Sequence, residues 1–223
     1  QFTPWALAYA IFNRKPILIA YERTAHTERN CPTWRRMYRK FVNLFVDGYV
    51  VNGILTKQYL VSQGVSENVI FTGAMCADSF HLAEKVKMIK PEERLFFKRE
   101  LHIEKKEIIY LYVGQLITRK GVAYLLDAWK EHILSHPNDH LLIVGEGPLF
   151  DDFVQGYGFM NSISFVGNID YSRIIEYYAV ADVFVIPTLE DNWSLVVPEA
   201  MACGLPIACS VYNGCHPELV HEG

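Results

Sequence analysis

With 223 residues, 51% of them hydrophobic, the chain carries enough apolar material to bury a sizeable core and to form two small globular domains. A formal net charge of -4 and a pI of about 6.1 give no global field of the kind that draws nucleic acid, so any basic site must be local. The five cysteines (Cys31, Cys76, Cys203, Cys209, Cys215) form neither a CxxC pair nor a metal-ligand spacing, and their odd number argues against a disulfide framework and for a reducing cytoplasm. No apolar run approaches the ~20 residues that span a bilayer, and no signal peptide opens the chain.

Strand-like and helix-like apolar segments alternate along most of the length, the pattern of an α/β fold with parallel sheets. Pro4 to Phe12 reads as a helix and Pro16 to Tyr21 as a buried strand. The loop YERTAHTERN follows, with Glu22, Arg23, His26, Glu28 and Arg29. A helix over Thr33 to Val46 then places Trp34, Met37, Tyr38, Phe41, Leu44 and Phe45 at helical spacing, with Arg35, Arg36, Arg39 and Lys40 beside them. Such a helix fits an anionic membrane surface, a core-facing stripe with a solvated basic back, or a basic groove for an anionic acceptor. Strand Tyr49 to Val51, helix Ile54 to Ser62 and strand Val69 to Phe71 complete the first half.

Between Ala77 and Lys106 the periodicity weakens into a charged stretch interrupted by Pro91, where the domain boundary is expected. A second series begins with strand Ile108 to Val113, helix Lys120 to His136 and strand Leu141 to Val144. It continues with helix Leu149 to Gln155, strand Ile163 to Val166, helix Tyr171 to Val180 and strand Val183 to Ile186. Helix Leu195 to Cys203 and strand Ile207 to Cys209 end it. This order is Rossmann-like, and ligands of such domains sit beyond the carboxyl ends of the strands.

The chemistry-bearing residues fall at those ends. Arg119 and Lys120 stand where a strand turns into a helix; cations there oppose the helix dipole, and an anion such as a diphosphate would relieve the conflict. The turn Gly145-Glu146-Gly147-Pro148 permits positive φ and close backbone approach to a ligand. In TLEDNWSLVVPEAMACGLP, Thr188 to Pro206, an acidic loop opens through Ser194 into a helix, which leaves the amides of Leu195, Val196 and Val197 to meet a phosphate. Glu199 lies one turn further along, facing the same ligand. Taken alone, each motif has a plainer reading: acids capping a helix, solvated cations, glycines ending strands.

The same stretch resembles glycosyltransferase family 4, retaining enzymes of the two-domain GT-B fold, which carry two carboxylates eight positions apart leading into the run EAMACGLP; here they are Asp191 and Glu199. The family usually has Glu followed by Gly-Phe-Gly where this chain has Asp191, Asn192, Trp193 and Ser194, so either Asp191 or Glu190 is the first acid. Many members also have Arg where Gln115 stands. The resemblance implies two Rossmann-like domains, the N-terminal one incomplete. Residues 1-84 would be the end of the acceptor-side domain, 85-106 the linker and 107-223 a truncated nucleotide-sugar domain, the chain being a fragment. It implies that Arg119 and Lys120 neutralise the diphosphate, that Glu199 binds the ribose, that Asp191 or Glu190 lies near the donor sugar with His26, and that Gly145 and Val166 border the nucleotide. The implied activity is retaining transfer of a sugar from a nucleotide-diphosphate donor to a saccharide or lipid-linked acceptor in polysaccharide or glycoconjugate synthesis. No metal or cofactor is implied, and no nucleic-acid partner. The location would be cytoplasmic, with peripheral contact on the inner membrane face through Trp34 to Phe45. A sugar-nucleotide epimerase of the same architecture and an inactive nucleotide-binding fragment are the alternatives.

Overall fold

A computed structural model describes residues 4–73 and 75–221, and the chain forms two compact units: Gln1–Met75 with Gly214–Gly223, and Cys76–Asn213.

The first unit runs α1 (Pro4–Phe12), β1 (Leu18–Tyr21), α2 (Thr33–Asn43), β2 (Gly48–Val51), α3 (Ile54–Ser62) and β3 (Ile70–Thr72). Its strands form a parallel sheet in the order β1-β2-β3, over a core of Tyr49, Val51, Leu60, Val65 and Ile70. Helix α2 does not bury its apolar stripe. Only Val42 is buried, while Trp34, Met37, Phe41 and Leu44 are more than half exposed. Its inward side instead carries Arg39, which pairs with the buried Glu28. The core-facing reading of this helix is therefore corrected: on the helical wheel Val42 and Arg39 lie away from the aromatic arc, and they take the inner face.

The second unit begins with α4 (Ser79–Met88) and α5 (Pro91–Glu100), so the stretch expected to hold a linker over 85-106 is largely helical. Pro91 does break the stretch, dividing α4 from α5, and it opens the second of the two helices. Proline lacks only an amide that a first turn leaves unpaired anyway, and the Lys90 amide donates to Glu93 Oε2 at 2.8 Å. Because α5 has no fully buried residue, its sequence carries little amphipathic signal. The units divide between residues 75 and 76.

The chain continues through β4 (Ile109–Val113), α6 (Val122–Ser135), β5 (His140–Val144), α7 (Phe150–Tyr157), β6 (Ile163–Gly167) and α8 (Ile174–Val180). It ends with β7 (Val183–Ile186), α9 (Val196–Ala202) and β8 (Ile207–Cys209), followed in the first unit by a short helix, His216–Leu219. All pairings are parallel, in the order β6-β5-β4-β7-β8, so both units are α/β and Rossmann-like. Strand β5, interior to the sheet between β6 and β4, is buried along its whole length, as the apolar run Leu141 to Val144 requires of a strand covered on both faces. Val122, Leu126 and Trp129 of α6 pack on it with Tyr112, Leu141 and Ile143, and helix α4 packs on α8 and α9. The chain reverses its direction of travel across the sheet at β4, when β7 adds on the side away from β5. That reversal leaves a crevice at the carboxyl ends of the strands.

Candidate functional site

Three strand ends are laced together above the sheet of the second unit. The Gly114 amide donates to the Val144 carbonyl at 3.0 Å, Gly145 to Gly167 at 2.8 Å and Leu116 to Glu146 at 2.9 Å. Gly145 has φ +128°, and a Cβ there would stand 2.1 Å from the Gly114 carbonyl oxygen. Glycine is thus required for the approach of a neighbouring strand end, and its amide is already used within the sheet. Beyond these ends opens a cleft of about 600 Å³. Residues 113–115 and 144–147 form one side, Asn168, Ile169, Tyr171 and Ile174 another, and Val196 and Glu199 of α9 the rest.

Glu199 is 7% exposed, and its carboxylate accepts two phenols: Tyr171 Oη on Oε1 and Tyr178 Oη on Oε2, each at 2.9 Å. Burial and the facing Glu199 carboxylate both raise these phenols, Tyr171 to about 12, so they remain protonated donors at neutral pH. No cation is bonded to Glu199 among the described residues.

A second cluster ties the loop after β4 to the loop after β7. The turn Thr118–Lys120 leads into Gly121, whose φ of +71° and 2.2 Å separation between a notional Cβ and the Pro187 carbonyl oxygen bring the two loops into backbone contact. The Arg119 carbonyl accepts from the Leu189 amide at 2.9 Å, the Glu190 amide at 3.2 Å and Thr188 Oγ1 at 3.0 Å. Lys120 is ion-paired with Asp191 Oδ2, with side-chain exposures of 14% and 11%. The same oxygen accepts Ser194 Oγ at 2.6 Å, and Oδ1 accepts the Trp193 amide at 3.3 Å. Burial pushes the Asp191 carboxyl up, but Lys120, Ser194 and the Trp193 amide outweigh it and hold the group below its usual range. Arg119 is exposed, its guanidinium donating to the Glu190 carbonyl at 3.2 Å.

The expected site residues therefore fall into two groups and an outlier. Gly145, Val196 and Glu199 line the cleft; Arg119, Lys120, Glu190, Asp191 and Ser194 form the neighbouring loop cluster. His26 lies in the first unit, half-buried in the turns after β1, where its carbonyl accepts the Arg29 amide at 3.3 Å and Arg29 Nη1 at 2.6 Å. Glu28 pairs with Arg23 and Arg39. Val166 does not line the cleft, because β6 bulges there: Phe165 pairs with Ile143 and Gly167 with Val144, which passes the lining role to Asn168 and Ile169. The helix expected to open at Ser194 begins at Val196, and the Val197 amide is spent on the Ser194 carbonyl at 3.2 Å. Leu195 and Val196 keep amides without a hydrogen bond among the described residues. Asn168, Tyr171 and Tyr178 are site residues that motif reading passed over, while Gln115 and Glu146 of the motifs already named also line the cleft. The two tyrosines did carry a signal, since seven positions is two helical turns and puts both on one face. No group of three or more His, Cys, Asp or Glu side chains among the described residues is arranged to hold a metal ion.

Residues 93–223, over half of the chain, match the sequence profile of the glycosyl transferases group 1. An uncharacterized glycosyltransferase of Methanocaldococcus jannaschii is 33% identical over 134 residues, 59% of this chain and 34% of that protein. The alpha-monoglucosyldiacylglycerol synthase of Acholeplasma laidlawii is 28% identical over 129 residues, 56% of this chain and 32% of that protein. The chain thus spans about a third of the length of these curated relatives. Among solved structures, Anabaena HepE in complex with UDP and glucose superposes with a TM-score of 0.78 at 17% identity, over 98% of this chain and 58% of that one. At that identity the likeness concerns the fold, which is of the GT-B type. By the match over residues 93–223, this chain belongs to the glycosyl transferases group 1 family.

Proposed function

We propose that the chain is part of a retaining, metal-independent glycosyltransferase of family 4, which moves a sugar from a nucleotide-diphosphate donor to a saccharide or lipid-linked acceptor. The observation that carries this reading is Glu199, a carboxylate without a cation at the wall of a cleft above the parallel strands. Such a group accepts hydrogen bonds from the ribose hydroxyls. The diphosphate lies toward Arg119, Lys120 and the Leu195 and Val196 amides, which stabilise negative charge as it leaves. Gly145 borders the nucleotide, Ser194 and Glu190 support the loop, and His26 contacts the donor sugar. Asp191 serves as the first acid of the pair, being the carboxylate fixed by Lys120 and Ser194. In the transfer step the bond from the anomeric carbon to the diphosphate oxygen breaks, the acceptor oxygen bonds to that carbon on the same face, and the acceptor proton passes to the departing phosphate. The UDP held by HepE supports a nucleotide-sugar donor, and the diacylglycerol product named for the Acholeplasma relative supports a lipid acceptor.

The exposed arc of α2, Trp34, Met37, Phe41 and Leu44, is flanked by the exposed Arg35, Arg36 and Lys40, and we assign it to peripheral contact with an anionic membrane at the cytoplasmic face. Among the described residues no helix is long and apolar enough to cross a membrane.

Titration of the chain with UDP-, GDP- and ADP-sugars, followed by product analysis, tests the reading. One donor or its nucleoside diphosphate binds, and Lys120→Ala and Glu199→Ala each weaken it about tenfold or more, in keeping with the loss of a charge-assisted hydrogen bond. Variants that match the parent would remove the site assignment. An epimerised donor in place of transfer, or binding without turnover in the full-length polypeptide, would replace the transferase reading.

A further inference from the structure

The environment of Glu199 is more specific than ribose recognition in general requires. An ionised carboxylate offers about four lone-pair positions, two on each oxygen. Here Tyr171 occupies one on Oε1 and Tyr178 one on Oε2, both at 2.9 Å, and the carboxylate accepts from nothing else among the described residues. One position on each oxygen remains, and a cis-diol has two donors to meet them. The two phenols differ in their freedom. Tyr178 is 1% exposed on α8 and packs its ring against Phe184, so it is a fixed point. Tyr171 is 60% exposed, stands in the one-turn helix Tyr171–Arg173 ahead of α8, and lines the cleft with its ring. That turn is anchored at its start by Asp170, whose carboxylate accepts the Ser172 amide at 2.8 Å and Ser172 Oγ at 2.6 Å.

We propose that Tyr171 is the positioning residue that makes this cleft selective for ribonucleoside over 2′-deoxyribonucleoside diphosphates. Resting on the assignment of Glu199 to the ribose, its phenol, together with that of Tyr178, fixes the plane of the carboxylate so that both oxygens meet the 2′,3′-diol at once. With one phenol removed the carboxylate turns about its terminal bond, and the two-point contact becomes a single one. A ligand lacking the 2′-hydroxyl makes a single contact in either case, so its affinity is insensitive to the change.

Affinities of the chain and of Tyr171→Phe for UDP, GDP and ADP, each paired with its 2′-deoxy counterpart, decide the matter by calorimetry. For the best-bound base, the parent prefers the ribonucleotide by about tenfold, equivalent to about 1.4 kcal/mol. In Tyr171→Phe that preference narrows to about threefold or less through weaker ribonucleotide binding, with the deoxynucleotide nearly unchanged, as expected when one hydrogen bond to a charged acceptor is lost. The substitution keeps the ring at an exposed position, so the chain still folds with a melting temperature only modestly below the parent value, and loss of fold does not confuse the result. An unchanged preference, or tighter ribonucleotide binding, would overturn the role of Tyr171 while leaving the donor site intact. A parent chain that binds none of the six nucleotides would overturn the donor site itself.

Discussion

Lys120 and Asp191 come from different crossovers, 71 positions apart, and meet with side-chain exposures of 14% and 11%. A pair so little hydrated is costly to break one-sidedly, because the surviving charge stays buried without its counter-charge. Lys120→Ala or Asp191→Ala alone should destabilise the fold by about 3 kcal/mol, and the double variant by less than the sum. Chemical denaturation of the four proteins gives the coupling, and strict additivity would show the pair to be worth nothing. The pH sign follows from the lowered Asp191 carboxyl. The pair's contribution is complete above the ordinary carboxylate range and is lost as pH falls through the depressed folded value, so the coupling vanishes only below the ordinary aspartate range. For the proposed donor site, the same pairing means that Lys120 is already engaged by Asp191, and Arg119 is the more open of the two cations.

At the level of elements, the site depends on backbone contacts that leave no space for a side chain. Gly145 lies at φ +128° with the Gly114 carbonyl oxygen 2.1 Å from where a Cβ would be. Gly145→Ala forces the ends of β4 and β5 apart and should cost about 2 to 4 kcal/mol, through backbone strain and lost lacing. Gly156, inside α7, has nothing within 4 Å of its notional Cβ, and Gly156→Ala should stabilise by up to about 1 kcal/mol through helix propensity. Thermal denaturation of the two variants distinguishes a glycine needed for contact from one that is not; equal effects would contradict this account. The strands and helices of the second unit were legible because buried strands show as short continuous apolar runs, as in Leu141 to Val144 of β5, and helices as apolar residues at helical spacing, as in Val122, Leu126 and Trp129 of α6. Helices α4 and α5 were not, because α4 buries only Leu82 and α5 no residue fully, so burial left little imprint on their sequence.

For the molecule as a whole, two compact units carry different surfaces. The second holds the cleft, and the first presents the aromatic and basic α2. Vesicle co-sedimentation examines that surface. The chain should bind vesicles rich in phosphatidylglycerol and leave neutral phosphatidylcholine vesicles alone, with each exposed basic residue worth about 1 kcal/mol near an anionic surface. Binding should weaken with salt and fall several-fold in a Trp34→Ala, Phe41→Ala variant. Equal binding to both lipids, or no effect of the variant, would remove the membrane assignment.

The sequence by itself determined the alternation of strands and helices, the parallel α/β class and the strand ends at which polar chemistry collects. These follow from local periodicity and from turn residues, which act over a few positions. Tertiary structure alone decided which polar groups face one another. It spent Lys120 on Asp191, gave Glu199 two phenols, moved the cleft wall from Val166 to Asn168 by a bulge, and turned the stripe of α2 outward. Each of those outcomes depends on contacts between segments far apart in the chain or on a shift of register, and neither leaves a period in the sequence that could be read beforehand.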